Sequence, residues 1–162
     1  MKSSILRLSE LVGGYMHLLV DSIPEEQMTR QPAPGLNSPA WVVGHLAIAY
    51  DFGSHFLGVK RAAPKEWGPL FGPGSSPAAA VSWPSKAELL STADNARRGL
   101  CAALEAAAPE KLAEPHTFEP MKQAAPTIGD FVAHLLTTHA CSHLGQISAW
   151  RRIQGMPAVL GF

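Results

Sequence analysis

His139 and His143 stand four residues apart in the segment 127–154, TIGDFVAHLLTTHACSHLGQISAWRRIQ. Apolar residues recur through this segment at helical spacing, which predicts one long helix. At about 100° per residue, positions four apart differ by only about 40° around the axis, so both imidazoles can face one point. Neutral imidazole is the commonest protein ligand for metals. His45, inward on another predicted helix beside Trp41, Ile48 and Phe52, supplies a third nitrogen. Three histidines leave a coordination position open, the arrangement of catalytic rather than structural centres. Burying an unpaired imidazole costs roughly 1–3 kcal/mol, so these rings need partners. HxxxH alone favours core histidines bonded to hydroxyls and carbonyls over metal ligands, and the local pattern does not decide the matter.

Four helical segments position these residues. In 4–20, Ile5, Leu8, Val12, Tyr15 and Leu19 form one apolar stripe, with His17 turned away from it. Ser22 to Glu25 reads as a capping box with Pro24 inside the start of a short turn. Ser38 and Pro39 open the second helix, which carries His45 and runs to about Gly58. Residues 59–83 lose periodicity and are rich in proline and glycine. They are expected to form a long ordered loop whose Trp67, Leu70, Phe71 and Trp83 pack over the end of the bundle.

Ser85 and Glu88 give a second capping box, opening a helix to about Ala108 with Leu89, Thr92, Ala96, Leu100 and Leu104 inward. Residues 110–126 form a connection with three prolines, and His116 lies there without spacing partners. Thr127 with Asp130 caps the last helix, which Gly155 and Pro157 end. Ile128, Val132, Leu135, His139, Gln146 and Trp150 map its inward seam, with His143 in the same arc. His134 and Cys141 are expected outside it, about 140° and about 200° from His139. An all-α four-helix bundle with long irregular connections, one domain over 1–162, is the expected architecture.

Thirteen basic and thirteen acidic residues cancel, leaving no electrostatic footprint for nucleic acid or an anionic membrane. Charged residues are only 16% of the chain, against roughly 25% in ordinary domains, which points to apolar surface covered by a second copy in a homodimer. No apolar stretch reaches spanning length and the N-terminus lacks a signal-peptide pattern, so a cytoplasmic protein is expected. Cys101 and Cys141 are too few for a disulfide framework and are expected to be reduced.

The segment NSPAWVVGHL, residues 37–46, resembles the part of the DinB-like superfamily that carries its first metal histidine. THACSHLGQI, residues 138–147, resembles the second signature, HxxxHxGQI, and the two occur in the family's order about 90 residues apart. The loop at 30–35 and the GMP after the last helix fit as well. The resemblance implies a four-helix bundle, commonly up-down-down-up and often dimeric. It also implies a divalent metal, usually zinc or nickel, held by His45, His139 and His143. Family members often have a further histidine where this chain has Cys141 and Ser142, neither of which is a ligand position.

Two classes of function follow. In the first, a cation on three neutral imidazoles lowers the pKa of a bound water or thiol and makes a nucleophile near neutral pH. The resemblance implies enzymes that use low-molecular-weight thiols as transferases or isomerases, alongside hydrolases. A small-molecule electrophile is the expected substrate. A hydrolase needs a nearby base, for which Asp51 and then His55 are candidates. Gln146 is a candidate for orienting a ligand or a histidine ring, and Arg151 and Arg152 for meeting an anionic substrate. The second class is a non-catalytic helical dimer that uses a metal for structure or binds a small molecule.

Overall fold

The computed structural model describes residues 2–75 and 82–160. Four long helical stretches carry the fold: α1 (Lys2–Val20), α2 (Pro39–Phe56), α4 (Lys86–Ala106) and a final rod. The rod is built of α6 (Ile128–His134), a π-helical turn (Leu135–His139) and α7 (Ala140–Ile153). Short helices α3 (Trp67–Phe71) and α5 (Pro109–Ala113) lie in the two long connections. Ser38 accepts from the Trp41 amide, Ser85 from that of Glu88, and Thr127 with Asp130 closes a full capping box. Gly155, at φ +73°, ends α7 in the left-handed region where glycine alone is unstrained.

Contacts between helices fix their directions. Lys2 at the start of α1 reaches the carbonyls of Glu105 and Ala107 at the end of α4, while His17 meets Asp94 and Lys86 reaches Asp21. These two helices are therefore antiparallel. Leu19 near the end of α1 accepts from Arg151 near the end of α7, so α1 and the rod run the same way. Asn37 meets Gln146 and Gly53 packs on Leu135, so α2 opposes the rod. The order is up-down-down-up. α2 and α4 run parallel in the most extensive helix contact of the molecule. A parallel neighbour requires the chain to return the length of α2, about 27 Å for 18 residues. That return is the reason for the long connection between α2 and α4. The loop expected over 59–83 contains α3, and Trp67 and Phe71 are fully buried; residues 76–81 of it lie outside the described residues.

Two helix faces differ from the expected stripes. On α1, Leu8 is 52% exposed and the inward seam is Ser9, Val12, Gly13, Met16 and Leu19. The cause is Arg97 of α4, a buried cation whose Nη1 donates to the Ser9 carbonyl at 3.1 Å and to Glu10. A Cβ on Gly13 would stand 2.7 Å from Arg97 Nε, so α1 turns its smallest residues toward the guanidinium and Leu8 outward. Ala93 takes the place assigned to Thr92 in the α4 seam. Ser22 caps nothing: Pro24 is the N-cap of a 3-10 turn, and the Ser22 hydroxyl accepts from Arg151 instead.

His17, turned away from the apolar stripe, clasps α1 to α4 through Nε2 to Asp94 at 2.8 Å and also meets Asp21 through Nδ1 at 3.2 Å. The bond to Asp94 raises its pKa against the opposing effect of burial, with Asp21 adding to the rise. A histidine whose pKa is raised on folding stabilises fully below its unfolded value of about 6.5, and that gain is lost as pH rises through the folded value. The ring is 38% exposed, so solvent screening holds the gain to below about 1 kcal/mol. Thermal denaturation of wild type and His17→Gln should show a wild-type advantage at pH 5.5 that shrinks by pH 8.5. An advantage growing with pH would contradict the clasp.

Candidate metal centre

The first histidine sits two turns into α2, where burial is nearly complete on all sides. Gly44 is the reason α3 can approach: a Cβ there would lie 2.6 Å from the Phe71 ring. Phe71 is itself fully buried, and its carbonyl accepts the Nδ1–H of His45 at 2.8 Å. Trp41 stacks flat on the same imidazole, centroids 4.7 Å apart and 7° from coplanar. With Nδ1 committed as donor, the neutral ring has its lone pair on Nε2. Such a bond to the far ring nitrogen is the usual device for orienting a metal-ligating histidine.

The rod supplies the other two. His139 closes the π turn and His143 follows one α turn later. Ring centroids are 4.6 Å apart for His139 and His143, 4.5 Å for His45 and His143, and 5.3 Å for His45 and His139. One ring nitrogen from each lies within 4.8 Å of the others, and Nε2 of His45 is 3.3 Å from Nε2 of His139. Zinc–nitrogen bonds of about 2.0–2.1 Å in a tetrahedron place nitrogens roughly 3.3–3.4 Å apart, so the His45–His139 pair already has the spacing of a coordination shell.

The protein alone leaves the cluster unsatisfied. Nδ1 of His139 and Nδ1 of His143 are buried and have no hydrogen-bond partner. Burial, then the neighbouring histidines, pushes the pKa of His139 down to about 3. Burial and then His45 push that of His143 down to about 4, with Gln146 acting in the opposite sense. Burial lowers His45 too, against its bond to Phe71. All three rings are therefore neutral at pH 7, the protonation state a metal ligand needs. The donor set fits a divalent cation with an open position.

The other sequence candidates fall differently. Asp51 is buried, but both its oxygens are taken, by the amides of Ala62 at 2.9 Å and Ala63 at 2.7 Å. It clamps the connection after α2 and is not free to act as a base. His55 is exposed at the far end of α2, against Phe56. Gln146, placed on the inward seam by spacing, is exposed, and its side-chain carbonyl accepts from Asn37 at 3.0 Å, tying the start of α2 to the middle of α7 near His143. Arg151 is buried, donating to the carbonyls of Leu19 and Pro157 and to Ser22, so it holds the C-terminal turn and cannot meet a substrate. Arg152 is exposed.

His134 is the site residue that α-helical spacing misplaces. A π turn bonds residues five apart and so brings i and i+5 nearly into register. His134 is half-buried, its ring centroid 5.6 Å from that of His139, with Nδ1 2.7 Å from the Thr138 hydroxyl. With His45 and His139 it lines a cavity of about 300 Å³ whose remaining wall is mainly Ile48, Phe52, Phe118, Met121, Phe131 and Leu135. That volume is at the small end for ligand pockets and the wall is apolar, so it suits a small apolar body. His116 holds the outer wall: its Nε2–H donates to the Ala125 carbonyl at 2.6 Å and its Nδ1 accepts from the Phe118 amide. Nothing in the periodicity of 110–126 could have revealed this pin.

An up-down-down-up helical bundle with three inward histidines on two antiparallel helices beside an apolar cavity defines a narrow class. The family model of the DinB superfamily matches residues 10–147, and the chain belongs to that family. Among solved structures it is similar to YfiT from Bacillus subtilis, described as a probable metal-dependent hydrolase with an unusual four-helix bundle topology. The two share 17% identity with a TM-score of 0.65 over 96% of this chain and 89% of that one, a likeness of fold. No curated protein matches the chain.

Proposed function

We propose that this chain is a metal-dependent enzyme in which His45, His139 and His143 hold one divalent cation, zinc or nickel, beside the apolar cavity. The observation that carries this is the convergence of three neutral imidazoles, His45 buried and the other two half-buried, with the Nδ1 atoms of His139 and His143 buried and unpartnered. When bound, the cation supplies Lewis-acid chemistry that lowers the pKa of water or a thiol toward neutrality. The chain's own part is to leave the cation's charge unneutralised, to keep one position open and to fix His45 through the Phe71 carbonyl. The apolar wall holds the electrophile and excludes bulk water.

The first reading of the reaction is attack of a low-molecular-weight thiol on a small electrophile. Asp51 is committed to Ala62 and Ala63, and among the described residues no carboxylate lines the cavity, which suits a nucleophile that needs no separate protein base. The second reading is hydrolysis. His134 on the cavity wall is its proton acceptor in place of Asp51, and the description of YfiT supports this chemistry. Metal-loaded protein screened for conjugation of small thiols to epoxides and unsaturated acids, and in parallel against esters and amides, separates them. Conjugation sensitive to chelation supports the first reading, and turnover without thiol supports the second. A loaded protein inactive in both arms whose stability collapses on chelation is a structural metal protein.

The placement proposed is cytoplasmic, supported by two unpaired cysteines of which Cys141 is exposed; no described helix is long and apolar enough to cross a membrane. A homodimer is proposed from the exposed Leu8, Leu11 and Leu18 along α1, and a monomeric mass by light scattering would contradict it.

A further inference from the structure

A second cavity of about 240 Å³ adjoins the one at the histidines, and Ile48, Phe52 and Pro73 line both. Its other walls include Arg61, Lys65 and Asp51. The three charges are not equivalent. The Asp51 carboxylate is buried and accepts one amide on each oxygen, from Ala62 and Ala63, two of the three residues between the cations. That clamp, with Pro64 stiffening the next step, presents Arg61 and Lys65 on either side of a fixed turn. Neither cation forms an ion pair among the described residues. The groove therefore changes character along its length: histidine nitrogens, then an apolar wall, then two unpaired positive side chains. From His45 to Asp51 the rise along α2 is about 9 Å, which sets the span between the reacting end and the charged end.

We infer that the molecule this site accepts is an amphipathic anion, its apolar body in the cavity beside His45 and His139 and its carboxylate met by Arg61 and Lys65. The inference deepens the proposed enzymatic reading and rests on it for the word substrate. The ligand chemistry itself can be read without any metal. A neutral molecule of the same shape fills the apolar cavity but leaves both cations facing solvent, so the preference for the anion is electrostatic and falls with salt. Arg61 and Lys65 are specificity residues in this arrangement, remote from the histidines.

Calorimetric titration of chelator-treated protein with 4-phenylbutyrate and with the uncharged 4-phenyl-1-butanol tests this. The acid should bind about tenfold more tightly than the alcohol in low salt, the order of two exposed charge contacts. The doubly substituted Arg61→Gln, Lys65→Gln protein should lose that preference while binding the alcohol as wild type does, and an unchanged melting temperature checks that it is folded. Equal binding of acid and alcohol, an acid preference that survives the double substitution, or no binding of either compound would overturn the inference. Because the titration uses metal-free protein, failure of the metal reading leaves the result interpretable, and failure here leaves the metal reading intact.

Discussion

Replacing His143 with Leu should have opposite consequences in the metal-loaded and metal-free protein. A lost ligand should weaken cation binding by more than the roughly 10–100-fold that loss of an outer partner costs. A cation present at about 1,000 times its dissociation constant stabilises a fold by about 4 kcal/mol, and the variant should forfeit most of that. Without metal the sign changes. Nδ1 of His143 is buried without a partner, and an unsatisfied buried group costs roughly 1–3 kcal/mol, so an apolar side chain of similar volume should be neutral or stabilising. Denaturation of both proteins with and without zinc or nickel reads the two signs. A core histidine bonded to hydroxyls and carbonyls predicts the same loss in both conditions, and that result would remove the basis for the metal centre.

Gly44→Ala is the second large effect, and it acts without touching a ligand. The added Cβ would stand 2.6 Å from the ring of Phe71, a fully buried residue with no room to swing aside. Overpacking of this kind costs typically about 1–3 kcal/mol. Displacing α3 also pulls the Phe71 carbonyl from His45 Nδ1, so metal affinity should fall about 10–100-fold. Gly14→Ala is the control, since a Cβ there meets nothing within 4 Å. It should stabilise α1 by up to about 1 kcal/mol through helix propensity and leave metal binding unchanged. Equal effects of the two substitutions on metal affinity would show that Gly44 has no special place in the site.

The ligand candidates and the bundle were legible in the sequence for a local reason. His139 and His143 share an α-helical turn, and His45 sits among the inward residues of α2, so periodicity alone aims them inward. What was illegible depends on partners distant in the chain or on a departure from α geometry. His134 was placed outward because five residues span about 140° in an α-helix, and the π turn at Leu135–His139 cancels that offset. Asp51 lies on α2 near the site, but its role is set by the amides of Ala62 and Ala63, which no periodicity reports. Leu8 was assigned inward by a good apolar stripe, yet the buried guanidinium of Arg97 needs the glycine and serine face of α1. Arg151 reads as a surface cation at a helix end, and its burial follows from carbonyls at Leu19 and Pro157 that only the closed bundle brings near. For Asp51, Arg97 and Arg151 a buried polar group found its partners outside its own helix, as buried polar groups must.

Anomalous scattering from crystals of metal-loaded protein, collected on both sides of the absorption edge of the added metal, tests the central claim most directly. One peak should lie among the nitrogens of His45, His139 and His143, bonded to all three, with a further ligand position facing the apolar cavity. Stoichiometric metal located elsewhere, or three histidines bonded only to protein and water with no peak between them, would contradict it.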